Sequence, residues 1–365
     1  MDTAMPRYAR HLQDVTIANP FPGLPRLETL IGRRIDSRIG SNESMAIAGH
    51  SVSQQWGEAL YELARLYPDP YAGAIRQRAA ALNGVDAANV VVDAGADSLI
   101  ALFLRARVSP GDVVVCTAGT YPTFRYFAEG VGARVVEVPY AQHGDSLVND
   151  LPALLAAAQQ HEAALLYLAN PDNPSGSYLP LADITALRAA LPADTFLLLD
   201  EAYIDFCDQA ERQGTLPDTA RLRTLSKAHG LAGLRIGYAL APAEWVAKAD
   251  QIRTQYGTSS VAQAAAVAAL DQPECSQRLI ADTLALREQL QLALQQGGLR
   301  VIPSHTNFLA IVYPDAEAAL TRQKALWLQG VAVHRPPHPA MQHVLRITAH
   351  PDSLTKKVVQ MLISP

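Results

Sequence analysis

The stretch AALLYLANPDNPSGSYLPLADITALRAALPADTFLLLDEA, residues 163–202, decides the architecture. It opens on an apolar run from Leu165 to Leu168 and turns through Asn170-Pro171-Asp172-Asn173-Pro174-Ser175-Gly176. A segment of helical composition, Leu181 to Leu191, then leads to a second apolar run, Leu197-Leu198-Leu199. Runs of this kind suit strands covered on both faces, and a helix between two of them makes a crossover unit of a parallel sheet. The alternation extends outward in both directions. Val90-Val91-Val92, Val113-Val114-Val115 and Val135-Val136 read as further strands, and Ser98 to Arg107 and Val148 to Gln160 as further crossover helices. The expectation is an α/β domain over roughly residues 60–245 with a mostly parallel central sheet and helices on both faces, a three-layer arrangement.

Downstream, the Ala/Gln/Leu-rich stretch Val261 to Gln296 predicts one long helix or two, broken near Gln272-Pro273 because proline cannot donate to the helix ladder. Strands at Phe308 to Tyr313, Val331 to Val333 and Val344 to Thr348, with helices at Ala316 to Gln329 and at the end, form a smaller α+β pattern. The first fifty residues are rich in Pro, Gly and Arg and predict an irregular arm. The resulting division is 1–50 as N-terminal arm and part of the small domain, 51–250 as large domain, and 251–365 as connecting helix and small C-terminal domain. A chain of 365 residues accommodates both domains.

Composition excludes several classes. The 30 Lys and Arg against 35 Asp and Glu leave a net charge of −5, which offers no basic surplus for nucleic acid. No apolar stretch approaches the roughly 18 residues needed to cross a bilayer, and Met1-Asp2-Thr3-Ala4 lacks a hydrophobic signal segment. A cytoplasmic protein is expected. Cys116, Cys207 and Cys275 are odd in number and widely spaced, which suits reduced, packed thiols.

The chemistry concentrates at two strand ends. Thr224-Leu225-Ser226-Lys227-Ala228-His229-Gly230 sets one of only five lysines among small and hydroxyl residues, while Lys248, Lys324, Lys356 and Lys357 fall on predicted helices. An amine in such a setting, with Arg235 as a nearby cation, has the makings of an imine-forming nucleophile. Asp200, in Asp200-Glu201-Ala202-Tyr203, puts a carboxylate at the carboxyl edge of a buried strand, where open α/β sheets bind ligands. It either caps a helix or holds a pyridinium proton. Asp93-Ala94-Gly95-Ala96-Asp97-Ser98 turns a strand into a helix whose free N–H groups suit a phosphate, with Ser226 and Arg235 completing the cradle. Asn173 could donate to a phenolate. Lysine, aspartate and cradle together suggest pyridoxal phosphate.

These segments resemble the fold type I pyridoxal-phosphate enzymes, and within them the histidinol-phosphate aminotransferase-like group. The resemblance runs from Pro22-Gly23-Leu24-Pro25 and Ser41-Asn42-Glu43 through Leu66-Tyr67-Pro68-Asp69-Pro70, Gly95-Ala96-Asp97, Asn173-Pro174-Ser175-Gly176, Asp200-Glu201-Ala202-Tyr203 and Ser226-Lys227 to Arg235 and Leu345-Arg346-Ile347-Thr348. It implies that Lys227 carries the cofactor, Asp200 pairs with its ring nitrogen, Asn173 and Tyr203 contact its ring hydroxyl, and Phe124 stacks on the ring. Ala96, Asp97, Ser226 and Arg235 would hold the phosphate, with Tyr67 reaching across from a second subunit of a homodimer. Arg346 would grip the substrate carboxylate, with Asn42 and Arg335 also at the substrate.

The implied activity is a ping-pong aminotransferase acting between an amino acid, or histidinol phosphate, and a 2-oxo acid. For histidinol phosphate, Arg33, Arg34 and Arg335 are candidates for a second anion site. The chain departs from the group's pattern at Asn42-Glu43-Ser44-Met45, at His229 and at Gln255-Tyr256-Gly257-Thr258-Ser259, all positions that bear on substrate. A decarboxylase or a specialised-metabolism enzyme on the same scaffold is the enzymatic alternative. A non-catalytic effector module would need a helix-turn-helix segment, for which the first fifty residues carry too many Pro and Gly. His334 and His338 have metal-like spacing, but Pro336 and Pro337 keep a helix from presenting both, and no metal is expected.

Overall fold

The computed structural model describes residues 24–45 and 59–363. Met1 to Ala4, Pro22 and Gly23, on which readings were made above, lie outside the described residues. The described chain opens with α1 (Leu24–Ile31) and β1 (Ser37–Arg38), where composition predicted irregular backbone. β1 pairs in parallel with Val331–Ala332. A pairing across nearly 300 residues orders this segment, and local composition carries no trace of it.

Next come α2 (Ala59–Arg65), α3 (Gly73–Asn83), β2 (Val90–Asp93), α4 (Gly95–Arg107), β3 (Val113–Thr117), α5 (Pro122–Gly130) and β4 (Arg134–Val138). A short hairpin, β5 (Ala141–His143) and β6 (Ser146–Val148), leads to α6 (Leu151–Gln160), β7 (Leu165–Ala169), α7 (Leu181–Ala190), β8 (Phe196–Asp200), β9 (Thr219–Thr224) and β10 (Gly237–Leu240). The large sheet has the order β2-β10-β9-β8-β7-β3-β4. Its β9-β8-β7-β3-β4 portion is parallel, and β10 runs antiparallel to both β9 and β2. Burial on both faces is visible within β8 alone. Leu198 packs with Phe103 and Tyr167 on one side, and Leu197 and Leu199 pack with Leu154 and Leu187 on the other.

Sequence analysis missed β9 and β10. β9 reads Thr-Ala-Arg-Leu-Arg-Thr, yet Arg221 is 0% and Arg223 4% exposed. Glu201, beyond the end of β8, makes this possible by pairing with Arg221 Nη2 at 2.8 Å and Arg223 Nε at 2.6 Å. Other guanidinium protons go to the backbone carbonyls of Glu211, Arg212, Gln213 and Gly214 and to Asn83 Oδ1. A scan for apolar periodicity cannot see charges that neutralise one another only after folding.

Then follow α8 (Ala243–Ile252), α9 (Ser260–Asp271) and α10 (Pro273–Gln296). The break falls at Gln272, with Pro273 opening α10 and the Ser259 hydroxyl capping α9 by accepting from Ala262 N–H at 3.1 Å. Although α9 follows a division at residue 250, Ala262, Ala265, Ala266 and Ala269 pack with Val90, Val92, Tyr238 and Leu240 of the large sheet.

The remainder comprises β11 (Arg300–Ile302), β12 (Phe308–Val312), α11 (Ala316–Leu328), β13 (Val331–Ala332), β14 (Val344–Thr348) and α12 (Lys356–Ile363). Antiparallel β11-β12-β14 has its own core, in which Ile39 packs with Leu290, Leu294, Leu309, Ile347 and Leu362. No described helix is long and apolar enough to cross a membrane. Cys116 and Cys207 are buried, Cys275 half-buried, and none of the three forms a disulfide.

Candidate active site

The carboxyl ends of β7, β8 and β9 stop at Ala169, Asp200 and Thr224, and all three line a cavity of about 570 Å³. Its opposite wall comes from residues 40–42 and from α11, β13 and β14. The cavity therefore lies between the two sheets, at the edge where parallel strands release their loops.

Lys227 sits in the loop after β9. Its Nζ donates to the carbonyls of Asn42 at 3.0 Å and Ser41 at 3.3 Å. Burial, then the Arg346 and Arg235 charges, pull its pKa down from 10.5 to about 8, against the opposing pull of Glu43. Roughly a tenth of the amine is therefore uncharged at pH 7, far more than for a free lysine. The other four lysines are exposed on α8, α11 and α12.

Asp200 accepts from Tyr167 Oη at 2.7 Å and from Ala202 N–H at 3.0 Å. Burial nevertheless pushes its pKa up from 3.8 to about 6. Both donors are neutral, and no ion pair among the described residues includes this carboxylate, which marks it as an anion in want of a cation.

Beside it, Asn173 Oδ1 accepts from Arg346 Nη1 at 2.6 Å, leaving the amide nitrogen to donate. Arg346 also donates to Gly40 O at 2.7 Å, and its Nε is buried with no hydrogen-bond partner among the described residues. Tyr203 Oη accepts from Asn42 Nδ2 at 2.9 Å, and its ring meets Phe308 edge-on at 5.2 Å. Lys227, Asp200, Asn173, Tyr203, Arg346 and Asn42 all line the one cavity.

At the start of α4, Gly95 has φ +82°, and a Cβ there would come within 2.9 Å of Arg235 Nη2. The missing side chain thus lets the guanidinium lie against the helix start. Arg235 Nη1 reaches Ser226 Oγ at 3.5 Å, and Nη2 reaches Asp97 Oδ2 at 3.3 Å. Ala96, Asp97, Ser226 and Arg235 line the cavity wall, so a helix start, a hydroxyl and a cation converge as an anion site requires.

Phe124 is the correction. Its ring is 0% exposed and stacks on Tyr167 at 4.3 Å within the core. Tyr121 lines the cavity instead, its hydroxyl donating to Asp97 Oδ1 at 2.8 Å. Pro122 opens α5, so Tyr121 precedes the helix at the sheet edge while Phe124 belongs to its first turn and faces the sheet. Proline at a helix start was the available signal.

Other readings divide. Arg335 lines the cavity and donates to Gln323 Oε1 at 3.4 Å. Arg33 and Arg34 do not line it, and Arg33 is paired with Asp36 at 2.8 Å. Tyr67 is 86% exposed, tilted against Tyr256 at 5.0 Å, and away from this cavity. His229 is half-buried outside the lining, and His338 turns to Glu137 at 3.2 Å while His334 lies on the cavity wall. Thr224, Gln323 and Trp327 line the cavity without any signal in sequence pattern.

Residues 38–362 match the family model for aminotransferase class I and II. Histidinol-phosphate aminotransferase 2 of Ralstonia nicotianae is 34% identical over 350 residues, covering 94% of this chain and 92% of that protein. The histidinol-phosphate aminotransferase of Rhodospirillum rubrum is 33% identical over 362 residues, 95% of this chain and 96% of that protein. Among solved structures, histidinol-phosphate aminotransferase from Sinorhizobium meliloti in complex with pyridoxal-5'-phosphate superposes with a TM-score of 0.87 at 34% identity, covering 99% and 96% of the two chains. A Thermus thermophilus aspartate aminotransferase variant shares the fold at 21% identity and a TM-score of 0.81.

Proposed function

The chain belongs to the aminotransferase class I and II family, and we propose that its cavity binds pyridoxal 5'-phosphate on Lys227 and exchanges an amino group between histidinol phosphate, or an α-amino acid, and a 2-oxo acid. One observation carries the cofactor assignment. Asp200 is a buried carboxylate with neutral donors only, and a protonated pyridine ring is the cation it lacks. The Gly95 notch beside Arg235 suits the phosphate.

When bound, the cofactor supplies an electron-withdrawing ring that takes up charge developing at the substrate Cα. The chain's residues do the rest. Asp200 keeps the ring nitrogen protonated, and Asn173 and Tyr203 orient the ring oxygen. Tyr121, which lines the cavity, would lie against the ring in the place expected of Phe124. The α4 start at Ala96 and Asp97, with Ser226 and Arg235, holds the phosphate, and Tyr67 serves the site of a partner subunit in a homodimer. Lys227 Nζ would hold the cofactor and, when free, would carry the substrate's Cα proton, a task suited to an amine whose pKa is near 8. Arg346 holds the substrate's anion, carboxylate or phosphate, through its planar fork, with Asn42 and Arg335 nearby. The reading has the enzyme in the cytoplasm, with a large domain over 51–250 on which α9 also packs, and with 251–365 supplying the connecting helix and the small domain, which β1 joins.

Borohydride reduction of the holoenzyme followed by peptide mapping tests it. Label on Lys227, with a visible absorbance that bleaches when histidinol phosphate is added, supports the reading. Label elsewhere, or full turnover in Lys227→Ala, overturns it. Bleaching by aromatic amino acids or arginine, and none by histidinol phosphate, overturns the donor alone.

A further inference from the structure

Asn42 is 1% exposed and has φ 54°, a left-handed conformation that asparagine tolerates better than most residues. Its backbone N–H donates to Thr348 Oγ1 at 3.0 Å, and its Oδ1 lies 3.2 Å from the same hydroxyl. Two oxygens in contact need one proton, and the Thr348 hydroxyl is the group that has it. That fixes Oδ1 toward Thr348 and turns Nδ2 toward Tyr203 Oη at 2.9 Å. The reversed amide would leave the Thr348 hydroxyl proton with no acceptor among the described residues. An amide nitrogen only donates, so the Tyr203 oxygen accepts, and its single proton must point elsewhere. Tyr203 lines the cavity.

We propose that Asn42 is a positioning residue that orders the Tyr203 proton, directing it into the cavity so that the phenol donates to the ring oxygen of bound cofactor. The inference rests on the proposed placement of Tyr203 at that oxygen. It adds a task at the segment where the Asn42 carbonyl holds Lys227 Nζ at 3.0 Å and accepts from Asn307 Nδ2 at 3.2 Å. One residue of the small-sheet wall thus touches both the amine and the phenol.

The consequence is electrostatic. A proton donated to the ring oxygen stabilises its anionic form, and the lysine-linked chromophore then releases its own proton at lower pH. Several charges act on the same titration: Arg346 on β14, Asp200 on β8, Asp97 on α4, Arg235 after β9, and Glu43 beside Asn42. Asn42→Ala and Thr348→Val delete none of these charges, and neither removes the backbone carbonyl that holds Lys227.

The test is the pH titration of the holoenzyme's visible band. Asn42→Ala should raise the midpoint by about half to one pH unit, the equivalent of one ordered hydrogen bond. Thr348→Val should move it the same way by less, and Thr348→Ser, which keeps the hydroxyl, should restore the wild-type value. A role confined to stability would lower the unfolding temperature with the midpoint unmoved. If Tyr203→Phe raises the midpoint while Asn42→Ala and Thr348→Val stay within about 0.2 of wild type, the proton-ordering role is refuted. If Tyr203→Phe has no effect either, the placement of Tyr203 falls, and the inference with it. Should Asn42→Ala fail to retain cofactor, the Thr348 pair decides.

Discussion

Replacing Asp200 by Asn should have opposite effects on the empty and the loaded protein. The carboxylate is 5% exposed, and burial raises its pKa from 3.8 to about 6 despite the Tyr167 and Ala202 hydrogen bonds. A folded-state pKa above the unfolded one means that the native state binds the extra proton. Stability is therefore fully present below pH 3.8 and lost as pH rises through about 6. At roughly 1.4 kcal/mol per pH unit, the ionised carboxylate costs the apoprotein about 3 kcal/mol at pH 8 and under about 1 kcal/mol at pH 4. Asparagine has nearly the same shape and no charge to desolvate.

Urea unfolding of cofactor-free wild type and Asp200→Asn, at one protein concentration, should show the variant more stable at pH 8. Some of the 3 kcal/mol will be given back, because one amide cannot satisfy both donors as well. The gap should close toward pH 4. With cofactor bound the order reverses, and kcat/KM should fall by at least about 10²–10³-fold for loss of a preorganised charge. A variant apoprotein that is less stable at pH 8, with a gap independent of pH, would refute the claim that Asp200 lacks a cation until cofactor arrives.

Other outcomes follow from the same geometry. Phe124→Ala should cost about 3–5 kcal/mol in denaturant unfolding of the apoprotein, since it empties a core site, whereas Tyr121→Ala should cost far less stability and weaken cofactor retention on dialysis. Gly95→Ala should lower cofactor affinity, measured by equilibrium binding, because a Cβ would displace Arg235 and strain a backbone at φ +82°. Glu201→Gln should destabilise the fold by about 3–5 kcal/mol in the same unfolding assay, because it leaves Arg221 and Arg223 buried without their shared anion.

Local pattern was enough for β3, β7 and β8, because each of those strands carries an unbroken apolar run covered on both sides. It was not enough for β9, whose arginines are neutralised by a glutamate twenty residues upstream, nor for β1, which exists only through pairing with β13. At the site, Lys227, Asp200 and the Gly95 turn stood out because each is a chemical type out of place in its surroundings. Phe124 and Tyr121 could not be separated by type, since both are aromatic near one helix start, and only packing tells the core ring from the cavity ring.

The amino-acid order alone therefore determined which chemistry this protein carries: a scarce amine, a carboxylate at a strand end and a helix start open to phosphate. Folding decided their electrostatic state and their neighbours. Burial deprives Asp200 of a cation and lowers the Lys227 pKa, and the chain's return past Ser41 and Asn42 brings a carbonyl to the amine and an amide to the phenol. Desolvation and long-range contact are properties of a closed three-dimensional surface, and no window of sequence contains them.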